Sequence, residues 1–400
     1  MTDLGIVMPV YKQLPLYLYS AIQSILTQTF RDYRLIIVVD GAREMLPFVQ
    51  TMVQDDARAE ILINETNLGV ARSLNRGFSH LFKDQNIHYV TWVSSDNVYY
   101  PYFLETLRNT LVSGGEELGL VYSSFRSINS EGLPLQGEVE LAALRQYQSQ
   151  SKEALLDASI VGVSFMYKSK FAKMIDGYGL EPVEDYDYWL RLNEHCEMRY
   201  IPIELMDYRV NSPHSVSLQL QSTAKHREWR NSYHLARYLA RNRRGIPFEI
   251  TILLPLREFD QASLDRLENL YEQSFSNYSV TVLDLSPDGE VTKQIEQIPH
   301  PTVVFLRLPH LSVNEAIRQE VVNVKTPYVF ILGPELFRNT TELEVLCYQL
   351  KKANPYIQCC YYTADHTLLG FSDHYESGES LEDCLYRTNK LISLLKSESL

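Results

Sequence analysis

One long stretch occurs twice in this chain, and that repetition limits the possible architecture more than any other feature. The segment "IVMPVYKQLPLYLYSAIQSILTQTFRDYRLIIVVD" (residues 6–40) returns as "ILLPLREFDQASLDRLENLYEQSFSNYSVTVLD" (residues 252–284). Pro9 and Pro255 stay in step, as do Gln28-x-Phe30-x-x-Tyr33 and Gln273-x-Phe275-x-x-Tyr278, and finally Asp40 and Asp284. Further on, "YVTWVSSDNVYYPYFLETLRNTL" (89–111) matches "YVFILGPELFRNTTELEVLCYQL" (328–350). These copies are whole assemblies of strands and helices, so two domains of one fold are expected. The 400 residues agree, being more than one hydrophobic core normally supports.

Within the first copy, strand and helix patterns alternate. "LGIVMPV" is a short apolar strand, and "YSAIQSILTQ" puts Ala21, Ile22, Ile25 and Leu26 on one helical face. "YRLIIVVD" is apolar almost throughout, as a strand covered on both sheet faces must be. "AEILIN", "HYVTWVS" and "LGLVYSS" continue the strands, and "VARSLNRGFSHLF" and "PYFLETLRNTLV" the helices. The rhythm predicts a mainly parallel α/β sheet with active groups at the carboxyl ends of its strands. Residues 126–137 carry the turn residues of a hairpin, and 138–158 read as a mobile loop. The second copy ends a strand with Gly333-Pro334-Glu335 where the first has Ser94-Ser95-Asp96-Asn97, and no counterpart to residues 160–217 is evident. One working domain and one relic are therefore expected. Between the copies, "STAKHREWRNSYHLARYLARNRRG" predicts a basic helix. It is either a solvated linker or a face for an anionic, lipid-linked or phosphorylated acceptor. At the far end Leu381, Cys384, Leu385, Thr388, Leu391 and Leu395 recur near helical spacing, suited to packing on the second domain or to a homodimer contact.

Composition narrows the class. A net charge of −13 argues against a general nucleic-acid binder. No apolar run approaches the roughly 18 residues needed to span a bilayer. "MTDLGIVMPVYK" reads as the start of a strand rather than a signal peptide. The 5 cysteines are odd in number and form no Cys-x-x-Cys, which fits a reduced, cytoplasmic protein. The 27 tyrosines offer flat amphipathic rings suited to sugar faces or simply to a core.

Four clusters carry candidate chemistry. The first joins "VMPVYK" to "VVDGA", where Asp40 either bonds a nucleoside or caps the next segment. No Gly-x-Gly-x-x-Gly follows the first strand, which counts against a nicotinamide or flavin site. In "NETNLGVARSLNRGF", Asn67 and Gly69 turn the chain into a helix whose first N–H groups could meet an anion. Arg72 and Arg76 share a face of that helix and could reach a diphosphate, while a surface role serves Arg76 equally well. In "SSDN", Asp96 offers one carboxylate to a hard divalent cation, with Ser95 and Asn97 as neutral neighbours. A helix-capping role for Asp96 or Asn97 conflicts with a helix that starts only after Pro101. In "GLEPVEDYDYWLRLNEHC", Glu181, Glu184, Asp185 and Asp187 crowd a helix start; they are dipole partners, or one of them is a general base.

Taken in order, "VMPVYK", "QTFRDYRLIIVVDGA", "NLGVARSLNRG", "VSSDN" and "EDYDYWLRL" resemble a family 2 glycosyltransferase with the GT-A fold. "YRVNSPHSVS", Tyr208 to Ser217, resembles that family's closing segment. The resemblance covers residues 4–217. It implies a catalytic GT-A domain over 1–218, a basic linker helix over 219–245, a degenerate GT-A-like domain over 246–365 and a C-terminal helical segment over 366–400. It further implies inverting transfer of a sugar from a UDP-, GDP- or dTDP-sugar donor to a glycan or lipid-linked acceptor, in the building of a cell-envelope polysaccharide. By the same resemblance Pro9, Val10, Tyr11 and Asp40 line the nucleoside pocket. Arg72 approaches the base or diphosphate, Ser95, Asp96, Asn97 and Glu184 contact the donor, and Asp185 is the base. Asp96 would help hold a divalent metal, Mn2+ or Mg2+, with His214 as a further ligand, although Asn211 aligns with the usual histidine equally well. The family's motif carries two or three acids where this chain has Asp96 alone, which predicts weak metal affinity. Two other classes compete. Nucleotidyl transfer expects a Gly-rich, basic loop after the first strand, which "PVYKQLPLY" lacks. A non-catalytic nucleotide- or glycan-binding protein would account for the acid-poor "SSDN".

Overall fold

A computed structural model describes residues 2–212, 216–363, 366–374 and 380–397. It divides into two compact units, Met1–Ser232 and Tyr233–Leu400. The first is built on an eight-stranded sheet: β1 (Leu4–Val10), β2 (Tyr33–Asp40), β3 (Ala59–Asn64), β4 (Tyr89–Trp92), β5 (Val98–Tyr99), β6 (Leu118–Ile128), β7 (Phe165–Lys168) and β8 (Glu197–Arg209). The strands lie in the order β3-β2-β1-β4-β7-β6-β8-β5. β3, β2, β1 and β4 run parallel, whereas β7 enters antiparallel between β4 and β6. Leu35 to Val39 of β2 have no exposed surface, because helices cover both faces there.

The helices of this unit are α1 (Pro15–Leu26), α2 (Leu46–Val53), α3 (Val70–Leu81), α4 (Phe103–Ser113), α5 (Glu138–Gln148), α6 (Ser169–Ala172), α7 (Glu184–Leu192) and α8 (Val216–Gln219), with α9 (Thr223–Arg243) running across the division. α3 sits close on β1 because two glycines allow it. A Cβ on Gly77 would lie 2.5 Å from Val7 Cγ1, and one on Gly5 would lie 2.8 Å from Leu81 Cδ1. Leu74, Phe78 and Leu81 then fill the space against the sheet.

The second unit repeats this plan in β9 (Ile250–Leu256), β10 (Tyr278–Asp284), β11 (Val303–Arg307), β12 (Tyr328–Ile331), β13 (Cys359–Tyr362), β14 (Leu369–Ser372) and β15 (Cys384–Arg387). The order β11-β10-β9-β12-β15-β13-β14 reproduces β3-β2-β1-β4-β7-β6 strand for strand before β14 closes the edge. β15 is antiparallel to both β12 and β13, as β7 is to β4 and β6. The second copy therefore does contain a counterpart to part of residues 160–217.

Three expectations are corrected. Residues 366–400 are not simply helical: β14 and β15 precede the final helix, Thr388–Ser397. Leu385 is buried as a strand residue, and its spacing from Leu391 and Leu395 only imitates a helical stripe. Residues 138–158 are not a bare loop. They form α5 and a short 3-10 turn, fastened by Gln148, which is 1% exposed. Its Oε1 accepts from Ser124 Oγ at 2.9 Å, its backbone oxygen accepts from the Tyr122 hydroxyl at 2.7 Å, and its Nε2 faces three carbonyls at 3.4–3.5 Å. The basic helix α9 is not a solvated face throughout either, since Arg230, Arg237 and Arg241 are buried. Arg237 donates to the Ser274 carbonyl and Arg241 to Ser276 Oγ. Among the described residues no helix is long and apolar enough to cross a membrane, and all five cysteines are free thiols.

The 3 tryptophans, Trp92, Trp189 and Trp229, all belong to the first unit. Gln148→Ala should leave buried polar groups without partners and cost about 2–3 kcal/mol. Urea unfolding followed by tryptophan fluorescence measures this. Limited proteolysis of the variant should cut first within residues 138–160, and an unchanged midpoint would count against the fastening role.

Candidate active site

Because β1, β2, β3 and β4 are parallel, their carboxyl ends share one edge of the sheet. Tyr11, Asp40, Asn64 and the Val93–Asn97 turn follow one another along it. Pro9 is partly accessible near this edge, Val10 is wholly buried in the core, and Tyr11 is partly accessible with Lys12 5.8 Å from its ring. Asp40 is 3% exposed. Its Oδ1 accepts from Asn64 Nδ2 at 2.8 Å and from the Leu68 backbone N–H at 2.9 Å, and its Oδ2 accepts from the Gly69 N–H at 3.0 Å. Gly69, at φ +90°, gives the turn into α3 a conformation that a side chain would resist.

The start of α3 is thus not the open anion site that its sequence suggests. The Leu68 and Gly69 amides belong to Asp40, and the Ala71 N–H donates to Glu181 Oε1 at 3.1 Å. Arg76 is likewise engaged, donating to the Ile63 carbonyl at 2.6 Å and to the side chain of Asn64. Arg72 is exposed and has no hydrogen-bond or ion-pair partner among the described residues.

Asp96 is 8% exposed, and both its oxygens carry hydroxyl donors, Ser94 Oγ at 2.6 Å on Oδ1 and Ser212 Oγ on Oδ2. Its backbone oxygen accepts from Arg209 Nε at 3.1 Å, and Asn97 Oδ1 accepts from the Arg209 N–H at 3.0 Å. Arg209 lies over the Tyr17 ring at 4.1 Å. The following helix, α4, starts at Phe103 with Tyr102 in the capping position, so neither Asp96 nor Asn97 caps it. A hard cation that arrives with a diphosphate needs one or two protein carboxylates. Asp96 meets the lower requirement, and among the described residues no group of three or more His, Cys, Asp or Glu side chains is placed to hold an ion. His214 lies outside the described residues.

The acids at the start of α7 divide sharply. Asp187 is paired with Arg191 at 2.8 Å. Glu184 is 7% exposed and its Oε2 is buried without a hydrogen-bond partner. Asp185 keeps part of its surface accessible, yet its Oδ1 is buried and also without a partner. Burial, then the neighbouring Glu184 charge, pushes the Asp185 carboxyl well above the usual range. Only the Trp92 indole favours its charged form, and the Trp92 Nε1 lies outside hydrogen-bond geometry.

Contacts connect these acids across the edge. Glu181 meets the α3 turn that Asp40 holds, and its charge, after burial, raises Glu184. Tyr99, whose hydroxyl accepts from the Ser94 N–H at 2.8 Å, lies within the fields of both Asp96 and Asp185. Sequence reasoning missed Glu181 as a partner of α3 and Ser212 as a partner of Asp96. Both stand in segments singled out for other residues.

The chain matches the family description "Glycosyl transferase family 2" over residues 5–175. The match lies wholly within the first unit and spans its sheet from β1 to β7. A protein named "Uncharacterized glycosyltransferase" from Rickettsia bellii is 24% identical over 213 residues, which are 52% of this chain and 30% of that protein. The chain thus spans about a third of that relative's length. Another of the same name from Haemophilus influenzae is 23% identical over 291 residues, 67% of this chain and 85% of that protein. Among solved structures, S. aureus TarS 1-349 in complex with UDP-GlcNAc is similar, with a TM-score of 0.47, 11% identity and coverage of 68% of this chain and 72% of that chain. The first unit has the mainly parallel α/β architecture that its sequence predicts.

In the second unit the equivalent positions are closed. Asp284, equivalent to Asp40, has no exposed surface and accepts from the N–H and hydroxyl groups of both Ser286 and Thr292. At the exit of β12, Asp383 accepts from the Gly333 N–H at 2.9 Å and the Glu335 N–H at 3.2 Å.

Glu184 offers a test of the site's electrostatics. Burial, then Glu181, pushes its carboxyl from 4.5 up to about 7. Between these values the unfolded chain has lost a proton that the folded chain keeps. Stability therefore falls as pH rises through that window and stays lowered above it. Glu184→Gln should be more stable than wild type near pH 8 by at most about 3 kcal/mol, because Asp185 titrates with it, and should therefore melt at a higher Tm there, with little difference near pH 4. Equal Tm differences at both pH values would contradict the assigned burial cost.

Proposed function

We propose that the first unit is a family 2 glycosyltransferase that moves a sugar with inversion from a nucleotide-diphosphate donor to a hydroxyl of a glycan or lipid-linked acceptor in the cytoplasm, for an envelope polysaccharide. The environment of Asp185 carries this reading. A carboxylate with one buried, unpartnered oxygen and a raised proton affinity, held at the carboxyl edge of a parallel sheet, suits a general base. In the step, the acceptor oxygen bonds to the anomeric carbon as its proton passes to Asp185. The bond from that carbon to the diphosphate breaks, and its electron pair leaves with the phosphate oxygen. Tyr11, Pro9 and the Val10 backbone flank the nucleoside, while Asp40 holds the α3 turn and leaves Oδ2 with capacity for one more donor. The unpartnered Arg72 reaches the base or the diphosphate. Asp96 would hold a divalent ion accompanying the diphosphate, which supplies stabilisation of the charge on the leaving group. Ser95, Asn97 and Glu184 border the donor. The second unit serves as a scaffold or acceptor-binding body, in keeping with its closed Asp284.

Asp185→Asn should lower kcat by about 10²–10⁴-fold while calorimetry still detects donor binding. Because the base must be ionised and its proton is held more tightly than an ordinary carboxyl's, wild-type kcat should rise with pH above the usual carboxylate range. Undiminished turnover by the Asn variant would refute the assignment. A thermal-shift panel of UDP-, GDP- and dTDP-sugars, with and without Mn2+, identifies the donor. Absence of any shift would favour the non-catalytic reading.

A further inference from the structure

We propose that Asn75 is a positioning residue for Asp185, acting through Tyr178; the inference rests on the general-base reading above. α7 has no side-chain cap of its own, because Val183 stands at its N-cap. Something outside the helix must fix where its first turn begins. The segment before it is held from α3. Asn75 Nδ2 donates to the Tyr178 carbonyl at 2.7 Å, and the Tyr178 N–H donates to Asn75 Oδ1 at 2.7 Å. One amide side chain thus satisfies both backbone groups of a residue, as a neighbouring strand would. The fit is tight, since a Cβ on Gly177 would lie 2.2 Å from Asn75 Oδ1.

Tyr178 passes this position on to α7. Its ring stacks flat on Tyr188 at 4.0 Å and 5°, and its hydroxyl meets that of Tyr167 at 3.0 Å. From α7, Arg191 reaches back to the carbonyls of Asp176 and Gly177, closing the segment from the other side. The Asp185 charge also acts on the Tyr178 phenol, after burial and Tyr188. The other groups facing Asp185 are Glu184 on α7, Trp92 at the end of β4 and Tyr99 on β5. Two residues beyond Asn75, Gly77 seats α3 on Val7 of β1. The line from sheet to base therefore runs through β1, α3, Asn75, Tyr178 and α7.

The test compares Asn75→Ala, Asn75→Asp and Asp185→Asn in the full chain. Asn75→Asp keeps the volume and still accepts from the Tyr178 N–H, but it cannot donate to the Tyr178 carbonyl. Turnover is normalised to donor-binding sites counted by calorimetry, which removes any contribution from unfolded protein. Displacing a catalytic group by about an ångström costs about 10²-fold, so normalised kcat of Asn75→Ala should fall by that order. The donor KM should stay within about threefold, because the nucleoside side is untouched. The acid limb of kcat against pH should move to lower pH, as water reaches Asp185 and weakens the burial that holds its proton. Where Asn75→Ala does not fold, Asn75→Asp carries the same expectations. Normalised kcat within about twofold of wild type with an unmoved acid limb would overturn the proposal while Asp185→Asn is inactive. Full activity of Asp185→Asn would overturn the general-base reading and this inference together.

Discussion

The carboxylate of Asp40 accepts hydrogen bonds from the Asn64 amide and from the Leu68 and Gly69 backbone, at the carboxyl edge of the sheet. Charged acceptors bonded to backbone N–H groups are among the stronger hydrogen bonds in proteins. Here they fix the passage from β3 into α3. With that passage fixed, Gly77 can rest on β1. With α3 on β1, the Ala71 N–H meets Glu181 and the Asn75 amide meets Tyr178. The site is assembled from its second strand outward, and its acids take their places from one helix seated on the sheet.

That order explains how much of the molecule was legible in the sequence. The repeat, the parallel strands and their polar exits follow from local pattern, because a buried strand such as β2 must be apolar along its length. β15 was not legible. Four residues, Cys384 to Arg387, are too few to display a period of two, and the leucines of the next helix lent them a false one. The occupancy of the α3 amides was not legible either. Asp40 and Glu181 stand 28 to 110 residues away from the amides they accept from, and no short-range pattern reports such a pairing. Gln148 illustrates the same gap, since a glutamine in a polar stretch gives no sign that it will be buried.

Glu184 and Asp185 are the locally unfavourable choice in an otherwise consistent design. Two adjacent acids, each with a buried oxygen lacking a partner, weaken the folded state near neutral pH. The aromatic layer beneath them offsets that cost. Trp189 meets Phe165 edge-on at 4.4 Å, Tyr178 lies flat on Tyr188, and Trp189, Tyr167 and Phe165 have almost no exposed surface. Large rings with little rotational freedom hold a helix start more firmly than aliphatic side chains of equal area would.

The closed carboxylates of the second unit bear on how duplicated proteins are interpreted. Asp284 survives at the position of Asp40, yet the hydroxyls of Ser286 and Thr292 have turned it into an internal brace. Persistence of an acid after gene duplication can thus reflect selection for folding alone. A count of matching aspartates between the halves would overstate how many open sites the chain possesses, whereas a count of their unfilled lone pairs would not.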